Sequence, residues 1–351
     1  MQLQIYLTSY KLVIRTKTGY NFKTPIGLGP YFDTSSLCPD SLLGTGPSFV
    51  ELGPAIPEDN INLSLIRKKF QKSTVSIQKS ELTQSCNVIV QKLLERQFHI
   101  RDGKIKPQPN SIVGVNILAS PQTIRSIPYL THNDYSNQVR DLIDLCDYLV
   151  VNISEDRQQA GIVQYYKNEK SLDKLLNEVI KSRNTELGKI AAYEYELKSN
   201  DSPDYSTSVS KSYLRNSIIS TLKPQMLFLQ VDINNLPNQE TFLNSLISKC
   251  KQHGITGVVL SEESQEQALQ NIQKFRKIDK QKDLLLMVNS RNMNKAQEAY
   301  EQIQSGADLL QVYDGLILQG PYFTRDFQIE LQNLMKQNNE KDVNQIYKVN
   351  Q

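Results

Sequence analysis

Short apolar runs alternate with longer polar stretches along the second half of the chain, and the polar stretches carry apolar residues at helical spacing. The apolar runs are rich in β-branched residues and have the length of strands. They lie at 226–233, 255–261, 284–290 and 309–315. Because continuous apolar strands that alternate with amphipathic helices are typical of parallel sheets buried on both faces, this half predicts β/α units.

The first half repeats the pattern less regularly. Its predicted strands lie at 25–30, 48–54, 111–118 and 147–154, and its predicted helices at 81–98, 133–146 and 172–181. Four strands in each half make eight, the number that closes a (β/α)8 barrel, and 351 residues suit that fold. We therefore predict an α/β protein whose residues 25–336 form a single (β/α)8 TIM barrel.

Three segments fall outside the barrel pattern. Residues 1–24 form an N-terminal segment. Residues 183–224, between the predicted helix 4 and strand 5, are a long polar insertion, and a loop of that size inside a barrel is usually functional, disordered or an interaction arm. Residues 337–351 are rich in Asn, Gln and Lys, which predicts an exposed polar tail.

Composition excludes several classes of protein. Apolar residues make up 39% of the chain, enough for a large core, and no window approaches the ~18 consecutive apolar residues of a membrane-spanning helix. The 40 Lys and Arg residues exceed the 37 Asp and Glu residues only slightly, and they are dispersed. We therefore expect no transmembrane segment and no nucleic-acid partner.

Cysteines and histidines are few and scattered. The four cysteines form no C-x-x-C pair, and none of the three histidines lies beside a candidate nucleophile. These patterns predict neither a metal site nor a Ser-His or Cys-His hydrolase. Cys146 and Cys250 lie on apolar helical faces, which predicts reduced core thiols and a reducing compartment.

Five short motifs occur in the order in which one known family carries them. They are Phe22-Lys-Thr-Pro-Ile-Gly27 with Phe32-Asp33, Phe49-Val-Glu-Leu-Gly53, Gly114-Val-Asn116, Tyr148-Leu-Val-Val-Asn152 and Gly306-Ala-Asp-Leu-Leu-Gln-Val-Tyr313. They resemble barrel strands one, two, three, four and eight of dihydroorotate dehydrogenase, and the class 2, quinone-linked form is the most similar in pattern. The segment around Leu12-Val-Ile14 and Thr18-Gly19 resembles the β hairpin that precedes strand one in that family.

The resemblance implies positions for the catalytic residues, and this chain differs at each of them. In the family, a base removes a proton from dihydroorotate while hydride passes to FMN. Glu155 stands at the position of the base, Gln230 at that of a lysine against the flavin, and Thr34 at that of a lysine that binds the substrate carboxylate. Glu262 lies where strand six of the family has Thr-Asn-Thr-Thr. We therefore predict no catalytic residues, only degenerate positions.

The candidate remnants of an FMN site are Asn116, Asn152 and Tyr313, which match flavin-contacting positions of the family. The alternative interpretation of Asn116 and Asn152 is that they are strand-end residues that hold loops by hydrogen bonds. We favour that structural interpretation, because the residues that accompany them in the family are replaced here.

The phosphate position of the family is altered as well. Such barrels bind phosphate with backbone N–H groups of the loops after strands seven and eight, where close approach requires glycine. The family has Gly-Gly after strand seven, where this chain has Asn289-Ser-Arg291, and Asp314 replaces a threonine after strand eight. A carboxylate there would repel a phosphate. We expect no cofactor, with FMN as the alternative.

Four carboxylates are predicted to project into the barrel mouth, at the carboxyl ends of strands two, four, six and eight. They are Glu51, Glu155, Glu262 and Asp314. The simpler interpretation pairs them with Arg157, Arg291 and nearby lysines, because ion-paired rims are common. The other interpretation makes the mouth a site for a cation or a basic peptide.

We predict a catalytically inactive, dihydroorotate-dehydrogenase-like barrel that serves as an accessory or structural subunit of a larger assembly. Class 2 ancestry suggests protein partners at the mitochondrial inner membrane; otherwise the chain is cytoplasmic. No acidic residue precedes Asp33, as in mitochondrial presequences, but the hairpin leaves too little chain for a cleaved one. The alternatives are an FMN-dependent dihydroorotate dehydrogenase of pyrimidine biosynthesis with an altered active site, and a barrel adapted to another small ligand.

The surfaces that we expect to contact a partner are the 183–224 insertion and the polar tail. The insertion region carries tyrosines, which supply contact area at a small entropic cost. They are Tyr193, Tyr195, Tyr205 and Tyr213. A disordered loop is the alternative interpretation of this insertion.

Overall fold

The structure of the protein is a computed structural model in which an eight-stranded parallel barrel is surrounded by helices. It describes residues 11–57, 69–71, 74–76, 83–154, 161–199, 225–234, 238–290 and 292–347. The sheet runs in chain order around the barrel and closes between its first and last strands. The predicted (β/α)8 TIM barrel is confirmed, as is a hairpin before its first strand.

Within the described residues, the strands comprise the eight strands of the barrel and five other short strands. They are β1 (Ile14–Arg15), β2 (Asn21–Phe22), β3 (Ile26–Leu28), β4 (Phe49–Ile56), β5 (Lys69–Gln71), β6 (Thr74–Ser76), β7 (Gln84–Ser85), β8 (Ile112–Ile117), β9 (Tyr148–Asn152), β10 (Met226–Val231), β11 (Gly257–Glu262), β12 (Leu285–Ser290) and β13 (Leu309–Val312). The barrel consists of β3, β4 and β8 to β13, and β7 pairs with the end of β4.

The helices lie between these strands. They are α1 (Pro39–Gly44), α2 (Cys86–Arg101), α3 (Pro121–Ser126), α4 (Thr131–Leu142), α5 (Ile162–Tyr166), α6 (Glu169–Ser199), α7 (Gln239–His253), α8 (Gln265–Ile278), α9 (Ala296–Ser305), α10 (Asp314–Gln319) and α11 (Phe323–Gln337). Local sequence sets several ends: the Ser120 and Ser264 side chains accept hydrogen bonds from the first turns of α3 and α8. Gly254, in the left-handed conformation, ends α7.

Three aromatic rings fill the lower interior of the barrel, and each lies over a glycine of the neighbouring strand. The pairs are Phe49 with Gly27, Tyr148 with Gly114, and Phe228 with Gly257. A Cβ atom on Gly114 would come within 2.0 Å of the Tyr148 ring. The rings also meet one another edge to face, as aromatic pairs prefer: the centroids of Tyr148 and Phe228 are 5.5 Å apart.

The hairpin of β1 and β2 closes the bottom of the barrel, where the strands begin. Ile14 pairs with Phe22, and Gly19 makes the turn with a positive φ of 85°. The buried ring of Phe22 packs edge to face on Phe49, with centroids 5.3 Å apart. The hairpin therefore continues the aromatic packing of the interior.

Helix α6 is much longer than predicted. The sequence pattern predicts a helix over 172–181 and a polar insertion from 183, whereas α6 runs through 31 residues to Ser199. The stretch contains no proline before Pro203 and is rich in Glu, Lys, Leu and Ala, which favour helices. The predicted loop is therefore wrong up to Ser199, and its remainder, 200–224, lies outside the described residues.

The predicted exposed tail is also wrong as far as residue 347. Val343 and Ile346 are fully buried against the core. Backbone hydrogen bonds tie this segment to the hairpin: Lys11 N–H donates to Lys341 O at 2.9 Å, and Val343 N–H donates to Lys11 O at 2.8 Å. The segment is therefore docked on the barrel through its two apolar side chains and its backbone.

The sequence also predicts reduced core cysteines and no transmembrane segment. All four cysteines are free thiols, and Cys146 and Cys250 are buried, as predicted. Within the described ranges, no helix combines the length and the apolar character needed to cross a membrane.

Candidate functional site

Polar side chains from six barrel strands meet at the mouth, where the strands end, and we call this set the mouth network. Its members are Glu51, Asn116, Tyr148, Asn152, Gln230, Ser261 and Gln311. Side chains in a strand alternate between its two faces, so these residues occupy inward positions. All but Tyr148 lie above the aromatic rings, and the hydroxyl of Tyr148 reaches the network from the ring layer. The network is therefore a polar layer on top of an apolar one.

Glu51 lies at the centre of the mouth network and is fully buried. Its carboxylate accepts hydrogen bonds from Asn116 Nδ2 at 2.7 Å, from Gln311 Nε2 at 2.5 Å and from the Tyr148 hydroxyl at 3.2 Å. None of these donors is charged. Burial raises the pKa of Glu51 to about 7, although the three hydrogen bonds act in the opposite direction.

The remaining members extend the network across the barrel. Asn116 Nδ2 also donates to Gln230 Oε1 at 2.7 Å, and Gln230 Nε2 donates to the Ser261 hydroxyl at 2.7 Å. Asn152 Nδ2 donates to Asn116 Oδ1 at 3.0 Å, and the Asn152 oxygen accepts from the backbone N–H of Ser154. The amides of Asn116, Asn152 and Gln230 are thus bonded to one another in a chain, as is usual for buried polar groups.

A small aromatic cluster, separate from the main core, lies next to the mouth network. Tyr31 and Tyr313 are buried against each other, and the ring of Phe32 meets Tyr313 edge to face at 5.6 Å. Tyr31 has a φ of 75°, which is unusual for a bulky residue. Its backbone N–H donates to Gly53 O at 2.9 Å. We call Tyr31, Phe32 and Tyr313 the mouth cluster.

Glu262 does not project into the mouth, contrary to prediction. Because its neighbour Ser261 points inward, Glu262 points outward, toward α8. Its carboxylate accepts hydrogen bonds from Asn271 Nδ2 at 3.0 Å and from Asn234 Nδ2 at 3.1 Å. Burial raises the pKa of Glu262 to about 7. A small pocket between β11, β12, α8 and α9 lies beside it.

The loops after β12 and β13 make internal contacts. Ser290 is bonded to Gln302, with 3.0 Å between Gln302 Nε2 and the Ser290 hydroxyl. Asp314, the first residue of α10, is buried. A Cβ atom on Gly315 would come within 2.1 Å of the Phe323 ring, so the packing of α10 against α11 explains that glycine.

Comparisons with known proteins identify the family. The family model described as dihydroorotate dehydrogenase matches residues 82–335, more than half of the chain. This chain belongs to the dihydroorotate dehydrogenase family. The match covers six of the eight barrel strands, β8 to β13, and the five motifs of the sequence fall in the same order along the fold.

Relatives named dihydroorotate dehydrogenase (quinone) cover most of the chain. The one from Novosphingobium aromaticivorans is 26% identical over 310 residues, which are 88% of this chain and 79% of the relative. The one from Sulfurimonas denitrificans is 26% identical over 323 residues, 91% of this chain and 80% of the relative. The ligand-free Eimeria tenella dihydroorotate dehydrogenase structure is 17% identical, with a TM-score of 0.74 over 99% of this chain and 93% of that one. This last match confirms the fold.

The structure brings together only part of the predicted dihydroorotate dehydrogenase site. Gln230, Asn116 and Asn152 meet in the mouth network, and Tyr313 lies beside it in the mouth cluster. Thr34 is half-buried in the loop after β3. The positions Glu155, Arg157 and Arg291 lie outside the described residues, so the predicted ion pairs with the two arginines stay predictions. Among the described residues Glu51 has neutral hydrogen-bond partners, so a pairing with a nearby lysine is wrong for this carboxylate.

Sequence reasoning missed several residues of the barrel mouth. Gln311 and Ser261 are bonded into the network, and Tyr31 is one of the three residues of the mouth cluster. The alternation along β13 was the available signal for Gln311, since Leu309 and Tyr313 share its inward face. Among the described residues, no three His, Cys, Asp or Glu side chains come together as metal ligands.

Proposed function

We propose that this chain is a member of the dihydroorotate dehydrogenase family that does not oxidise dihydroorotate and acts instead as a structural or accessory protein. The observation that carries the proposal is the mouth network. Its side chains bond to one another at 2.5–3.2 Å across the barrel mouth, where the resemblance puts the flavin ring. A flavin there would have to replace these bonds.

The residues present do not fit FMN in three respects. Gln230 is neutral where the family has a lysine, and it is held by Asn116 and Ser261. The mouth cluster adds two buried tyrosines to the same region. Asp314 puts a buried carboxyl group where the resemblance puts a phosphate, and a carboxylate repels that anion in a low-dielectric site.

Dihydroorotate oxidation by FMN is the second candidate function, and the relatives favour it. Those compared above are named dihydroorotate dehydrogenase (quinone) and match at least 88% of this chain. Asn116 and Asn152 retain the residue types of the family at two strand ends. Under this candidate, those two amides would contact the flavin, and the mouth network would open when the flavin binds.

Flavin content separates the two candidates. The protein is purified under native conditions beside the Novosphingobium aromaticivorans relative as a control, and both are denatured to release any flavin for its absorbance spectrum. We expect no flavin from this chain and no dye reduction with dihydroorotate. Stoichiometric FMN together with dihydroorotate-dependent dye reduction would establish the second candidate instead.

The accessory role and the mitochondrial compartment are parts of the proposal that rest on the family ancestry and on the closed mouth. A fold whose site is closed can still be useful through its surface, because fold and function are separable. Native purification with mass spectrometry tests this part. Co-migration with a large membrane complex supports it, whereas migration as a free monomer in the native extract contradicts it.

A further inference from the structure

The side-chain oxygen of Gln311 is the one amide oxygen of the mouth network without a hydrogen-bond partner. Gln311 is fully buried, and its Nε2 donates to Glu51 at 2.5 Å while its Oε1 accepts nothing. A buried acceptor left unpaired costs free energy. The other amide oxygens of the network, on Asn116, Asn152 and Gln230, each accept at least one bond.

Among the described residues, no counter-charge faces Glu51 beside Gln311. Its three hydrogen-bond donors are two amides and one phenol, and its neighbour in register on β8 is Gly114. Of the described groups that face the carboxyl from the surrounding strands, Tyr148 alone can titrate. Burial and the neighbouring Glu51 raise the pKa of Tyr148 well above its ordinary value, so this hydroxyl stays a donor.

Counting donors and acceptors gives two arrangements of this pair, and each leaves a different polar group of Gln311 unpaired. When Glu51 is ionised, it accepts from Gln311 Nε2, and the unpaired Oε1 is left on the other side of the amide. When Glu51 is protonated, its O–H can donate to Gln311 Oε1 once the amide has turned over. The second arrangement pairs the orphaned oxygen and frees the NH2 group.

We propose that Glu51 and Gln311 form a proton-linked switch at the floor of the barrel mouth. Binding of a proton requires no cavity, so it can occur in the mouth network although its side chains are already in contact. Proton uptake by Glu51 turns the Gln311 amide and removes an uncompensated buried charge from the barrel. Because burial raises the pKa of Glu51 to about 7, the switch operates near neutral pH.

The switch changes what Gln311 presents to the mouth. Its Oε1 lies 3.5 Å from the point where a Cβ on Gly29 would stand, and Asn289 Nδ2 lies 3.6 Å from the same point. With Glu51 ionised, this side of Gln311 is a hydrogen-bond acceptor; with Glu51 protonated, it is a donor. The inference is independent of the proposed function, since it concerns contacts within the barrel.

The side-chain NH2 resonances of Gln311 report the turn directly. They are followed by NMR in the 15N-labelled full chain between about pH 5 and pH 9, a range that spans the titration of this carboxyl. We expect one shift with a midpoint near 7 in the wild type, and none in Glu51→Gln, whose side chain has no proton to gain. An unchanged resonance in the wild type, or the same shift in Glu51→Gln, would overturn the proposal.

The matched control is Glu262→Gln, which removes the other buried glutamate whose pKa is raised to about 7. The Gln311 shift must persist in this variant. Should Glu51→Gln fail to fold, infrared spectra of Glu262→Gln decide instead. In that variant the carboxylic acid band of Glu51 should be present near pH 6, about one unit below its pKa, and should disappear as pH rises through about 7. The absence of this band near pH 6 would contradict the switch.

Discussion

Gly114 lies so close beneath the ring of Tyr148 that it has no room for even a methyl group. A Cβ atom would come within 2.0 Å of the ring, and that ring is held in turn by Phe49 and Phe228. We expect Gly114→Ala to destabilise the protein by about 3 kcal/mol, the upper range for overpacking, because the ring cannot move aside. Urea unfolding of the wild type and the variant measures this difference in the free energy of unfolding.

The control for that substitution is Gly188→Ala in the exposed part of α6. Nothing lies within 4 Å of the position of its Cβ. Alanine favours a helix over glycine, so we expect a stabilisation of about 0.5–1 kcal/mol. If Gly114→Ala and Gly188→Ala changed the free energy of unfolding by the same amount, the packing of the Tyr148 ring would not require a glycine beneath it.

Tyr31 combines a positive φ with buried packing, and two substitutions separate the two effects. Both Tyr31→Gly and Tyr31→Ala lose the ring contacts with Tyr313. Only the alanine variant keeps a side chain at a φ of 75°. We therefore expect Tyr31→Gly to be more stable than Tyr31→Ala by about 1 kcal/mol in thermal or urea unfolding, despite the greater freedom of glycine in the unfolded chain. An alanine variant of equal or greater stability would contradict the backbone argument.

Glu262 makes stability depend on pH. Its folded pKa of about 7 lies above the ordinary value of 4.5 expected in the unfolded chain, so between those values the folded state holds a proton that the unfolded state lacks. Stability therefore falls as pH rises from 4.5 to about 7, by about 3 kcal/mol for such a shift. Glu51 acts in the same direction.

Urea unfolding at about pH 5 and pH 8, which together span most of this window, checks the prediction. We expect Glu262→Gln to lose less stability between the two pH values than the wild type. The neighbouring, exposed Glu263→Gln serves as the control for the change in net charge and keeps the dependence of the wild type. If the stability of Glu262→Gln depended on pH as strongly as that of the wild type, groups other than Glu262 would be responsible for the effect.

The docked segment after α11 contributes to the stability of the barrel. Ile346 is fully buried, and Val343 N–H donates to Lys11 O. We expect Ile346→Ala to cost about 2–4 kcal/mol, the usual range for a buried aliphatic residue. It should also speed hydrogen exchange at the Val343 amide. The exposed Gln337→Ala is the control; equal effects of the two variants would mean that the segment is not docked.

The barrel could be predicted from sequence because its signals are local. Each strand is a continuous apolar run, and the hairpin has its turn at Gly19. The boundary between β13 and α10 was placed too late, because the inward and outward apolar residues of 309–315 do not reveal where the strand ends. The length of α6 was missed since polar residues favour helices and loops alike.

The site was less predictable because its contacts join distant parts of the chain. Gln311 and Glu51 are 260 residues apart in the sequence, and no sequence motif links the two positions. Glu262 was placed on the wrong face because one residue of register decides between the mouth and α8. The positive φ of Tyr31 has no signal in the residue type.

The three ring and glycine pairs each join consecutive strands: the first to the second, the third to the fourth and the fifth to the sixth. A strand that slid along its neighbour by two residues would keep its inward face inward. The ring would then meet a side chain instead of a glycine. The pairs consequently fix the stagger between strands, and with it the tilt and diameter of the barrel, independently of anything bound at the mouth.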